Sequence, residues 1–189
     1  IWSEAAKPLG PIAYILKARV TLLRDVGGAM SPFNAFQFIQ GLETLPLRIR
    51  EHCKNAELVS KYLNLNKYVK KVIYPQNFNG INRKRAQKYL KNGYGALVGF
   101  ELEGGIETCK KFIDSLKLFY HVANIGDARS LAIHPASTTH SQLSPNDQLR
   151  AGVSDSYIRL SIGIEHIDDI IDDIEQALEV AHKLNKDAA

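Results

Sequence analysis

Near the C-terminus, Ile167, Ile170, Ile171, Ile174, Ala177, Leu178 and Ala181 recur at three- and four-residue steps. That spacing puts side chains on one face of an α-helix. Asp168 and Asp169 fall in its first turn and Lys183 near its end, where the helix dipole favours each sign of charge. The acidic run is therefore expected to be helix-end electrostatics, not a metal site. A second helical register runs from Leu47 to Leu63 through Ile49, Cys53, Ala56 and Val59, and a third from Ile106 to Leu116, with Cys109, Phe112 and Ile113 turned inward.

Other stretches alternate with period two. Tyr68–Tyr74, Gly95–Leu102, Leu118–Asn124, Ser130–His134 and Tyr157–Ile162 are expected as strands. Asn79-Gly80 reads as a turn before a basic helix over Arg83–Leu90. Ser144-Pro145 reads as the cap of a short helix reaching about Ala151.

The first third is helical with interruptions. Ser3 is expected to cap a short turn that Pro8, Gly10 and Pro11 break, and a helix over Ile12–Leu23 ends at Gly27-Gly28. Ser31-Pro32 is a clean start, a capping side chain followed by a residue whose missing N–H costs nothing there. Phe36, Ile39, Leu42 and Leu45 follow it. Pro46 must then kink or restart the helix, since within an unbroken one it would cost ~3 kcal/mol. The expected fold class is α/β, a mostly antiparallel sheet with helices packed on it over residues 65–189, preceded by a helical connector over residues 1–64. Phe33, Phe36 and Phe38 crowd that connector, and such apolar surface calls for a partner subunit or a further domain.

Composition narrows the class. The chain has 189 residues, 45% of them hydrophobic, enough for a sizeable core. No apolar run approaches the ~20 residues of a membrane span. Cys53 and Cys109 stand apart from each other, which points to a reducing compartment and away from a disulfide framework. The 24 basic and 20 acidic residues leave a net charge of +4. The basic excess gathers at Lys67, Lys70, Lys71, Arg83, Lys84, Arg85 and Lys88. This is either a nucleic-acid surface or a solvated face; the second is the commoner origin, and no stacking aromatics or recognition-helix pattern favour the first. The chain opens Ile1-Trp2-Ser3 without methionine, which suggests a piece or processed product of something longer.

Candidate chemistry concentrates between Tyr120 and Gly163, where hydroxyls, an amide and an arginine fall on strand ends and short loops. In Tyr157-Ile158-Arg159-Leu160-Ser161-Ile162 the isoleucines and Leu160 share one face, and Tyr157, Arg159 and Ser161 share the other. The planar guanidinium of Arg159 suits a carboxylate held by two parallel hydrogen bonds. A ligand carboxylate, an internal Arg–Asp pair and a solvated strand face all satisfy this spacing, and the structural alternatives are the commoner ones. Asp127 reads as a turn acid that accepts from neighbouring N–H groups.

Four segments then carry a resemblance. They are L-R-D-V-G-G-A-M-S-P-F-N-A-F-Q-F-I-Q-G-L-E-T-L-P-L-R at 23–48, A-N-I-G-D-A-R-S-L at 123–131, H-P-A-S-T-T-H-S-Q-L at 134–143 and Y-I-R-L-S-I-G-I-E at 157–165. Together they resemble the C-terminal portion of the Cys/Met-metabolism family of pyridoxal-phosphate (PLP) enzymes, in its O-acetylhomoserine sulfhydrylase branch. The resemblance implies that Arg159 grips the substrate α-carboxylate, that Asn124 helps hold it, and that Thr139 lies near substrate and cofactor, with Ser137 and His134 shaping that loop. Ala123 stands where some cystathionine enzymes carry an acid. The resemblance implies PLP as cofactor, with the Schiff-base lysine and phosphate-binding turn upstream of this stretch, so residues 1–189 alone are expected to be inactive. It implies replacement of acetate by sulfide in O-acetyl-L-homoserine, giving homocysteine. It also implies a cytoplasmic homotetramer, with the upstream PLP domain and neighbouring subunits as partners and no nucleic acid or membrane. Two alternatives stay open: a stand-alone carboxylate- or protein-binding module, and a piece of a cystathionine synthase, cystathionine lyase or methionine γ-lyase.

Overall fold

The computed structural model describes residues 2–187, and Ile1 lies outside them. The chain divides into two compact units, residues 1–45 and 46–189. The first unit is all helical: α1 (Trp2–Ala6), α2 (Ala13–Lys17), α3 (Arg24–Val26) and α4 (Pro32–Glu43). Ser3, expected as a cap, lies inside α1. The stretch expected as one helix over Ile12–Leu23 starts at Ala13 and passes into a π-helical segment, Ala18–Leu23. Gly27 stops α3 in the left-handed region at φ 70°, a conformation glycine adopts without steric cost. Ser31 caps α4 as expected, its Oγ accepting from the Asn34 N–H at 3.2 Å. Phe33, Phe36 and Phe38 are all exposed.

In the second unit, α5 (Leu45–Leu65) restarts the helix after a one-residue break at Thr44. Pro46 therefore falls in the first turn, where no backbone donor is lost. Five strands follow among the described residues: β1 (Val69–Ile73), β2 (Leu97–Leu102), β3 (Tyr120–His121), β4 (Leu131–Ile133) and β5 (Tyr157–Ser161). Their order is β1-β2-β5-β4-β3, antiparallel throughout except for β3 with β4. The helices of this unit are α6 (Gly80–Tyr89), α7 (Gly105–Ser115), α8 (Pro145–Arg150) and α9 (Ile167–Asp187). Asn79-Gly80 is not a turn before a later helix. Asn79 is extended at the N-cap and Gly80 opens α6.

One sheet face makes the core. Val98 and Phe100 of β2, Ile158 and Leu160 of β5 and Ala132 of β4 pack with Ala56, Val59 and Leu63 of α5, and with Cys109 and Phe112 of α7 and Ile170, Ile174 and Leu178 of α9. Phe100 and Phe112 meet edge to face at 5.6 Å between ring centroids, an arrangement that adds to their burial. The strand expected over Leu118–Asn124 survives only as Tyr120–His121. The backbone N–H groups of Lys117, Leu118 and Phe119 donate to the buried carboxylate of Asp173 on α9, so a sheet ladder cannot use them. The connection from β3 to β4 is short for a parallel pair, and it runs past the end of β5.

Candidate functional site

Arg159 occupies the middle of β5, opposite Gly99 on β2 and Ile133 on β4. Neither neighbour offers a polar group that would engage the guanidinium. Nη2 of Arg159 stands 3.5 Å from the carbonyl oxygen of Asn124, at the outer limit of a hydrogen bond. Among the described residues no carboxylate lies within ion-pair distance of it. The internal Arg–Asp pair is therefore not the arrangement found. Tyr157, two residues back on the same face, lies across Gly99: a Cβ there would stand 2.5 Å from the tyrosine hydroxyl oxygen. Burial raises the Tyr157 pKa, Arg159's charge opposes that rise, and Glu101 adds to it.

The β3–β4 loop is fastened to the same strand. Gly126, at φ 80°, donates its N–H to Ser161 Oγ at 3.2 Å. Asn124 Oδ1 accepts from the Ile125 N–H at 2.9 Å, which leaves the amide nitrogen as its outward donor. Asp127 Oδ1 accepts from the Arg129 N–H at 3.0 Å, the turn role expected for it. Further along, Ser130 is fully buried. Its N–H and hydroxyl both donate to Glu165, at 2.6 and 2.9 Å, and its Oγ accepts from the Gly163 N–H at 2.9 Å. A Cβ on Gly163 would stand 2.5 Å from both the Ala128 oxygen and the Ser130 nitrogen, so only glycine fits this closure. From the other side, Asn55 Nδ2 donates to the carbonyls of Gly163 and Glu165, and His52 Nδ1 donates to Ile162 O at 2.6 Å.

Thr139 sits elsewhere. It is exposed, with Oγ1 2.9 Å from His140 Nδ1, and no contact among the described residues joins it to Arg159 or Asn124. His134 shapes its loop as expected: Nε2 pairs with Asp155 O at 2.9 Å and Nδ1 with Ser137 Oγ at 2.8 Å. A neutral ring, donating from Nε2 and accepting at Nδ1, satisfies both contacts. Burial, the largest cause, lowers its pKa. Gln148 on α8 ties the loop down through the carbonyls of Ala136 and His140.

The structure thus joins Arg159 and Asn124, gives Ser161, which alternation had placed on the face of Arg159, a bond to the loop, and adds Ser130 and Glu165, which periodicity did not single out. Glu165 stood at the end of the last quoted segment, a position that carries no chemical signal of its own. His52 and Asn55 carried a faint one, as polar residues beside the buried stripe of α5. The basic residues occupy exposed positions of α6, of β1 and, for Lys67, of the turn before β1. β1 is a sheet edge, where lysines discourage edge-to-edge pairing. No helix among the described residues is long and apolar enough to cross a membrane, and none of their His, Cys, Asp and Glu side chains gather as a metal site.

A five-stranded, mostly antiparallel sheet backed by helices, with a strand arginine beside a tight loop, defines a domain of α/β class. The chain belongs to the Cys/Met metabolism PLP-dependent enzyme family, which it matches over residues 12–179. It is 55% identical to the O-acetyl-L-homoserine sulfhydrylase of Leptospira meyeri over 89% of this chain and 38% of that protein. It is 49% identical to the homocysteine synthase of Schizosaccharomyces pombe, over 91% of this chain and 40% of that one. A crystal structure assigned as an O-acetylhomoserine (thiol)-lyase from Campylobacter jejuni superposes with a TM-score of 0.82 at 44% identity, covering 89% of this chain and 40% of that chain. That structure carries N'-pyridoxyl-lysine-5'-monophosphate. The chain spans about two fifths of the length of these relatives.

The family's cofactor can be weighed against the residues present. An arginine with unpaired donors on a stiff strand fits the carboxylate side of an amino-acid site. No lysine takes part in the side-chain contacts that hold β5 and the 124–130 loop together among the described residues. What these residues fit is a carboxylate.

Proposed function

We propose that this chain is the C-terminal portion of a PLP-dependent O-acetylhomoserine sulfhydrylase, and that it supplies the clamp for the substrate α-carboxylate. In the complete protein, sulfide replaces acetate at the γ-carbon of O-acetyl-L-homoserine, giving L-homocysteine. PLP, when bound, supplies the electron sink this chemistry needs. The observation that carries the reading is the Arg159 guanidinium, unpaired with any described carboxylate and set beside Asn124.

Arg159 holds the carboxylate through two parallel N–H donors. Asn124 contributes its side-chain amide, and Thr139, whose hydroxyl here pairs with His140, comes near the substrate in the complete protein. Such fixation aligns the substrate's reacting carbon atoms and lowers the entropic part of the barrier. Residues 1–64 act as the connector to an upstream cofactor-binding part. The lysine that carries the cofactor belongs to that part, so residues 1–189 alone bind without turnover. The exposed phenylalanines of α4 are covered by the upstream part or by other subunits of a homotetramer. A cytoplasmic setting agrees with Cys53 and Cys109 both being free thiols.

The test is Arg159→Ala in the complete enzyme. By analogy with removing one partner of a charge pair, the change costs about 2–4 kcal/mol in kcat/KM for O-acetyl-L-homoserine, seen mainly as a raised KM. A KM near the wild-type value refutes the clamp.

A further inference from the structure

The 121–129 stretch beside Arg159 is exposed along its whole length. It is held to β5 and the turn after it by polar bonds. The Gly126 N–H reaches Ser161 Oγ, and Ala128 O accepts from the Ile164 N–H at 2.9 Å. At its end, Ser130 gives both of its donors to one carboxylate, one to each oxygen of Glu165. Glu165 itself does not depend on the loop for its place. The turn it belongs to is fixed from α5 by Asn55 and His52. The anchored partner is thus the 162–165 turn, and the dependent partner is the loop that carries Asn124.

We infer that Glu165, acting through Ser130, is a positioning residue for the carboxylate clamp: it holds the β3–β4 loop against the end of β5 so that Asn124 stays beside Arg159. The inference rests on the clamp reading above. Ser130 is wholly buried and has no water to turn to, and a carboxylate that receives two donors from one residue fixes that residue's backbone as well as its side chain. A neutral amide at 165 has one acceptor oxygen where the carboxylate uses two. The loop then gains freedom next to Arg159, while the hydrophobic core on the opposite sheet face is untouched. The loss falls on binding of the amino-acid substrate. Sulfide has no carboxylate, so its binding does not change.

The experiment is steady-state kinetics on the complete, PLP-loaded enzyme with Glu165→Gln and Ser130→Ala, each alone and Glu165→Gln also combined with Arg159→Lys. A charge-assisted hydrogen bond of this kind corresponds to about a tenfold or larger change. The expected result is a rise of about that size in KM for O-acetyl-L-homoserine, with kcat and the KM for sulfide held within about twofold. In the Arg159→Lys background Glu165→Gln adds far less, because both changes act on one clamp. A Glu165→Gln enzyme with wild-type KM, or one whose kcat alone falls with the folded fraction, overturns the proposal. Where Glu165→Gln is insoluble, Ser130→Ala decides; insolubility of both makes the pair a folding element and also overturns it. An unchanged KM in Arg159→Ala removes the clamp itself. A raised KM there, beside an unchanged KM in Glu165→Gln, removes the positioning role alone.

Discussion

Asp173 offers the most direct measure of how one buried carboxylate organises the route to the site. It lies on α9, 6% exposed. Its two oxygens receive the N–H groups of Lys117 at 2.9 and 3.1 Å, Leu118 at 2.8 Å and Phe119 at 3.2 Å, and the Gln176 amide at 3.0 Å. Three successive backbone donors converging on one anion form a small nest, which turns the chain from α7 into β3. Asp173→Asn leaves one acceptor oxygen and presents an amide donor where an N–H already points. At least one charge-assisted bond is lost, at about 1.5–3 kcal/mol, and one buried donor is left without a partner, at about 1–3 kcal/mol. These costs overlap, so the expected net loss is about 2–4 kcal/mol. At roughly 2–4 °C per kcal/mol for a chain of this size, the melting midpoint should fall by about 5–15 °C. Thermal unfolding followed by circular dichroism, wild type beside variant, reads this directly. The exposed neighbour provides the control: Asp172→Asn should move the midpoint little, as surface changes do. A loss below about 0.5 kcal/mol for Asp173→Asn, no larger than an ordinary surface change, refutes the account.

Two further outcomes follow from buried titratable groups. Burial holds His134 neutral below its ordinary value of 6.5. As pH falls through that value the unfolded chain takes up a proton that the folded chain resists, so stability drops, while at higher pH the contribution is complete. His134→Gln should flatten the stability slope between about pH 7 and pH 5, and an unchanged slope in a denaturant titration counts against this. Burial, and after it the charge of Asp155, pushes the Cys109 thiol up to about 12, whereas Cys53 is partly exposed. A chromogenic disulfide reagent should therefore label Cys53 rapidly in the folded protein and Cys109 only after unfolding. Equal rapid labelling of both would contradict the packing of α7.

Some of this architecture was legible before any coordinates. The stripe from Ile167 to Ala181 buries Ile170, Ile174, Ala177, Leu178 and Ala181, because a 3.6-residue period leaves a helix one way to hide them. The Ser-Pro pairs at 31–32 and 144–145 open helices as expected, since capping involves only atoms within one turn. Alternation in β5 put Ile158 and Leu160 in the core and Arg159 on the other face. The family was legible too, in four short segments, and the match over residues 12–179 agrees with them.

Other features depended on atoms brought from far away. The strand expected over Leu118–Asn124 loses its start because a carboxylate more than fifty positions along the chain takes the N–H groups of Leu118 and Phe119. Asn79-Gly80 carries the composition of a turn, but its extended N-cap leads straight into α6. Alternation could place Arg159 on a face, but not say whether an acid would meet it there.

By itself, the sequence determined what local periods and caps dictate: the helices, the two faces of the strands, and the membership of the chain in its family. Tertiary structure alone decided which polar groups meet. Ser130 and Glu165 are 35 residues apart, and Asn55 and Gly163 are 108 apart. Closing such distances is the work of sheet order and helix packing, and a hydrogen bond depends on geometry at the scale of tenths of an ångström. Residue order along the chain carries the first kind of information plainly and the second only through the fold it produces.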